Sequence, residues 1–96
     1  MIKETLKKEK KMRKEIERKF NTLDDIYYEL ESLISEIDDR IQAVEDKADN
    51  RESGELTEKE EEKIEAYEER KYALESAMEA IENAKDSLQE VMDIEV

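Results

Sequence analysis

Asn50-Arg51-Glu52-Ser53-Gly54-Glu55-Leu56-Thr57-Glu58-Lys59-Glu60 interrupts a chain otherwise free of helix breakers, and its reading decides the fold. Gly54 is the only glycine, and there is no proline. Glycine takes the left-handed backbone conformation that ends a helix without steric cost. Three residues later, Thr57-Glu58-Lys59-Glu60 has the form of a capping box. In that motif the Thr57 oxygen accepts from the Glu60 amide while the Glu60 carboxylate reaches back to the Thr57 amide. Glu58, Glu60 and Glu61 crowd the first turn that follows, where the positive end of a helix dipole favours them. One helix is therefore expected to stop before Gly54 and a second to begin at Thr57.

Working outward from this segment, apolar residues recur every seven positions on both sides. Before the turn, one track is Ile16, Leu23, Leu30, Ile37 and Val44, and a second is Phe20, Tyr27, Ile34, Ile41 and Ala48. The tracks alternate at spacings of three and four, which places them on one helix stripe. Ile26 and Leu33 flank that stripe. After the turn, Tyr67, Leu74, Ile81 and Leu88 repeat, with Ile64, Met78 and Met92 on one flank and Ala77, Ala84 and Val91 on the other. Ala66, Ala73 and Ala80 form a further small-residue track. A short connection makes the two helices antiparallel neighbours. The expected fold is an all-α, coiled-coil-like two-helix hairpin.

The expected organisation is one domain: a basic arm over 1–20, a helix body over 21–50, a turn over 51–56 and a second helix over 57–94. With the turn centred on Gly54, Phe20 faces Leu88 and Ile16 faces Met92. Residues before about Met12 then have no counterpart, an overhang of roughly 15 Å as helix. The charge reverses there. Residues 1–20 hold nine Lys or Arg against four Glu, whereas residues 21–96 hold eight against 26 acids. Thr22-x-x-Asp25 has the form of a second cap, but without Pro or Gly a continuous first helix is expected.

Composition excludes several classes of function. The formal charge of −13 makes the whole chain a poor ligand for nucleic acid or an anionic membrane. The start, Met1-Ile2-Lys3-Glu4-Thr5-Leu6, has no apolar run of a signal peptide, and no stretch approaches the roughly 20 apolar residues of a membrane span. Without cysteine there is no disulfide framework, which fits a reducing compartment. A soluble, cytoplasmic protein is expected.

With no His and no Cys, the chain lacks the commonest general base, the usual zinc ligands and any thiol nucleophile. One glycine cannot build a phosphate-cradling loop. Ser32, Ser35, Ser53, Ser76 and Ser87 have no base to activate them. Asp46, Asp49, Asn50, Glu52 and Glu55 are oxygen ligands near the turn, but their spacing does not match an EF-hand loop. No catalytic residue, cofactor or metal is expected, and the protein is read as a non-enzyme.

The binding surfaces expected are the apolar stripe and the basic arm. The stripe residues are Ile16, Phe20, Leu23, Ile26, Tyr27, Leu30, Leu33, Ile34, Ile37, Ile41, Tyr67, Leu74, Met78, Ile81, Leu88 and Met92. Counting Ile26 and Leu33 on one side and Met78 and Met92 on the other, the stripe exceeds what two helices cover. A homodimer closing into a four-helix bundle, or a groove on a partner protein, would complete it. Arg70, Lys71 and Lys85 are expected at the stripe's margin, with stems packed and heads directed to carboxylates such as Glu31 or Asp38.

Lys7, Lys8, Lys10, Lys11, Arg13 and Lys14 form the core of the basic arm, with Arg18 and Lys19 beyond. A basic region followed by heptads resembles the layout of bZIP proteins, but the base-reading Asn and Arg pattern and the leucine zipper are missing. Glu4–Lys8 and Glu15–Lys19 are pairs that stabilise a helix, and direct nucleic-acid binding is not expected. The leading expectation is a module that binds and modulates a partner protein. The alternative is an acidic nucleic-acid mimic, similar in charge and size to small phage inhibitors of restriction and CRISPR enzymes.

Overall fold

The structure is a computed structural model and describes residues 2–94. It is an all-α helical hairpin of two helices, α1 (Ile2–Asp49) and α2 (Glu58–Asp93). Helix α1 passes through Asn21 without a break. The Thr22 hydroxyl donates to the Arg18 carbonyl at 2.9 Å, so it bonds back into the preceding turn instead of capping a new helix.

The connection forms as its residue types dictate. The amides of Asn50 and Arg51 donate to the carbonyls of Asp46 (3.1 Å) and Ala48 (3.0 Å), closing the last turn of α1. Gly54 has φ +65°, and its amide donates to the Arg51 carbonyl at 3.1 Å. The Thr57 amide then donates to Glu60 Oε1 at 2.9 Å, and the Glu60 amide to Thr57 Oγ1 at 3.2 Å. This reciprocal pair satisfies two of the amides that a helix start leaves without partners.

By their internal contacts the residues divide into two compact units. One is Met1–Tyr28 with Glu79–Val96, the other Glu29–Met78. Each holds a segment of both helices. In the first, Arg13 Nη2 donates to the Ile94 carbonyl at 3.4 Å and Lys85 Nζ to Asp24 Oδ1 at 2.5 Å. In the second, Lys71 Nζ donates to Asp38 Oδ1 at 2.7 Å, and Arg51 bridges to Glu60 beside the turn. Partners ascend before Gly54 as they descend after it, so within each unit the segments are antiparallel.

The seam in the first unit is Ile16, Phe20, Leu23 and Tyr27 against Ile81, Lys85, Leu88 and Met92, all half-buried. In the second unit it is Leu30, Ile34, Ile37, Ile41, Val44 and Ala48 against Leu56, Ile64, Tyr67, Lys71, Leu74 and Met78. Among the described residues only Ala48, at 2% exposure, is fully buried. Two helices can shield only one side of each seam residue.

Three assignments on α2 differ from the sequence reading. Met78 and Met92 do not flank the stripe; with Ile64 they form its second track, half-buried in the seam. Lys71 and Lys85 occupy that same track and are not marginal. The apolar count misses them because a lysine there breaks the hydrophobic pattern without leaving the helix face. Ala77, Ala84 and Val91 fall outside the seam and are exposed, as are Ala66, Ala73 and Ala80.

Candidate functional site

In each helix the seam is bordered by two rows, and their residue types are sorted. The row just ahead of the Phe20–Ala48 track is Lys19, Ile26, Leu33, Arg40 and Lys47. Its counterpart on α2, just ahead of Ile64, Lys71, Met78, Lys85 and Met92, is Lys63, Arg70, Ala77, Ala84 and Val91. The row just after the other track is Asp24, Glu31, Asp38 and Glu45 on α1, and Glu68, Glu75, Glu82 and Gln89 on α2. One flank of the seam is thus apolar and basic, the other almost wholly acidic.

Both seam lysines turn to the acidic flank. The Asp38 hydrogen bond, with Glu75 and Glu68 nearby, raises the Lys71 pKa. The Asp24 hydrogen bond does the same for Lys85. Lys85 Nζ also lies 5.1 Å from the Phe20 ring centre and 5.8 Å from that of Tyr27. An ammonium among two aromatic faces and a carboxylate keeps its charge while its stem fills the seam. Tyr27 meets Tyr28 edge-on, with ring centres 5.8 Å apart.

The opposite flank opens into grooves. In the second unit, a groove of about 420 Å³ is lined by Leu33, Glu36, Ile37, Arg40, Tyr67, Arg70, Ala73 and Leu74. A second, of about 320 Å³, shares Arg40 and Tyr67 with it and adds Ala43, Val44, Lys47, Glu60 and Lys63. Leu33 is 45% exposed at the groove's edge. Lys63 Nζ stands 6.0 Å from the Tyr67 ring centre. In the first unit, Met12, Ile16, Val91 and Ile94 line a smaller recess with Glu9 and Arg13. Ile26, on the same flank of the first unit but outside that recess, is also exposed.

Among the predicted site residues, Ile26 and Leu33 stand at the surface, and the other fourteen stripe residues lie in the seam. Lys7, Lys8, Lys10, Lys11, Arg13 and Lys14 are exposed on α1. The heptad tracks do not single out Arg40, Lys47 or Lys63. The residue in front of each seam position does, and that signal is legible in the sequence once both tracks of α2 are known.

At the turn, the Arg51 hydrogen bonds hold the Glu60 carboxyl at about 2, helped by the Thr57 amide. The same carboxylate raises the Arg51 pKa. Asp46 Oδ1 accepts from Gln42 Nε2 at 2.8 Å. Among the described residues no cluster of three or more carboxylates is gathered to hold a metal ion, and no helix is long and apolar enough to cross a membrane. No protein-family model, curated protein or solved structure matches the chain.

Proposed function

We propose that this chain is a non-catalytic interaction module that binds and modulates a partner protein, and that two copies associate into a four-helix bundle. A cytoplasmic location is part of the same proposal. The observation that carries it is the apolar surface the hairpin leaves uncovered. The accessible surface is 7993 Å² for 11.4 kDa, where a compact monomer of that mass exposes roughly 5,800 Å². The excess, on the order of 2,000 Å², counts polar and apolar surface together and exceeds the roughly 800 Å² that each partner contributes to a standard interface. Ile26, Leu33 and Val91 stand exposed beside the seam.

Charge supports self-association through the first unit. Its α1 segment holds nine Lys or Arg against six Asp or Glu, and its α2 segment from 79 to 94 holds five acids and Lys85. A two-fold axis would set the basic segment of each copy against the acidic segment of the other, over Met12, Val91 and Ile94. Sedimentation at several concentrations, with crosslinking and affinity capture from source cells, tests both halves. A monomer at all concentrations, with no protein crosslinked, would remove the reading.

The acidic flank supports the second reading, a nucleic-acid mimic. Glu31, Asp38 and Glu45 face the same side of the second unit as Glu68 and Glu75. This reading requires capture of a basic, nucleic-acid-binding protein, competition with DNA, and loss of binding at high salt.

A further inference from the structure

We infer that the Leu33–Tyr67 groove of the second unit is the docking site for an acidic amphipathic helix of the partner protein. This rests on the interaction-module reading and names the chemistry of the partner. Residues 29–78 carry 18 Asp or Glu and only seven Lys or Arg. Four of those seven, Arg40, Lys47, Lys63 and Arg70, sit on the groove's flank. Among the described residues none of the four forms an ion pair, although the unit is rich in carboxylates. By contrast, Arg51 is paired with Glu60 and Lys71 with Asp38.

The lining of the trough is largely apolar: Leu33 at its edge with Ile37, Tyr67, Ala73 and Leu74, continued by Ala43 and Val44. Of the two carboxylates that line it, Glu60 is engaged by Arg51, and Glu36 stands at the rim. From Leu33 to Val44 the floor runs roughly 16 Å, about three helical turns. An apolar floor between unpaired guanidiniums fits a helix with apolar residues at i, i+4, i+7 and i+11 and carboxylates on its flanks. A bare phosphate backbone would leave the floor uncovered. A second copy docked about a two-fold axis through this groove would crowd Arg40 and Arg70 of both copies together, which disfavours it as the occupant.

The test uses the full chain and a fluorescein-labelled helical peptide of about 16 residues, with leucines at those four spacings and glutamates flanking them. A counterpart carries lysine in place of every glutamate. The acidic peptide should bind, and the basic one should bind about tenfold more weakly or worse. The double variant Arg40→Glu/Arg70→Glu should reverse that preference, and Leu33→Lys should weaken the acidic peptide. All three positions are exposed at the surface, and circular dichroism checks that each variant stays helical. Equal affinity for the two peptides overturns the inference, as does an unchanged preference in the double variant. So does a dimer that dissociates on the Arg40→Glu/Arg70→Glu change, since a second copy would then occupy the groove. A cellular partner crosslinking equally to the native chain and the double variant would sink the groove and leave the module reading standing. A monomer that crosslinks to nothing would sink the module reading itself.

Discussion

At the scale of single residues, the most consequential contacts are those around Thr57 and Glu60. The Thr57 hydroxyl is the side-chain acceptor of the α2 capping box, at 3.2 Å from the Glu60 amide. Thr57→Ala should therefore cost about 1 kcal/mol, read as a lowered denaturation midpoint with unchanged slope. Glu60 adds a pH signature. Its carboxyl is held at about 2, well below the usual 4.5, first by Arg51 and then by the Thr57 amide. A depressed folded pKa stabilises above the unfolded value and loses that contribution as pH falls through the folded one. The stability gap between the native chain and Glu60→Gln should thus be full above about pH 4.5 and close toward pH 2. Melts of both proteins across that range would show it, and a gap that persists at pH 2 would assign the contact no electrostatic role.

At the scale of elements, the seam lysines separate α2 from a simple coiled-coil strand. Lys85 stands where an apolar residue would pack, between Phe20, Tyr27 and Asp24. Replacing a polar seam residue by one of similar volume commonly stabilises and loosens partner choice. Lys85→Met should raise the melting temperature, whereas Lys85→Glu, beside Asp24, should lower it. The raised Lys85 pKa stabilises fully below the ordinary 10.5 and fades as pH rises through the folded value. The methionine variant should lack that alkaline loss. The start of α1 is the opposite case: of residues 2–15 only Glu9 is even half-buried. Amide hydrogen exchange should be fastest there within α1, and slow exchange across 2–8 in dilute protein would point to a contact the hairpin does not supply.

These elements also show what could be read in advance. The hairpin, the turn at Gly54 and the reciprocal cap follow from local rules in which each residue's role is set within four positions. The α1 stripe follows because all ten of its seam positions are apolar. The α2 seam does not, because Lys71 and Lys85 break its second track, so Met78 and Met92 look like outliers. The flanks are defined only relative to that seam, so the cationic groove is legible only where Lys71 and Lys85 are counted as seam positions.

At the scale of the whole molecule, charge is distributed by position and not evenly. If the bundle forms by setting basic against acidic segments, raising salt should weaken it while leaving helicity intact, which sedimentation and circular dichroism measure together. An assembly indifferent to salt would assign the contact to apolar surface alone. The acidic row carries one more consequence. Asp24, Glu31, Asp38 and Glu45 are interchangeable rungs spaced a heptad apart, so Lys71 and Lys85 would each find a carboxylate even after the strands slid by one repeat. The lysines dictate which side of the ladder faces which, and the loop's length helps to hold the stagger. Severed at Gly54, the two halves would be free to re-anneal out of step.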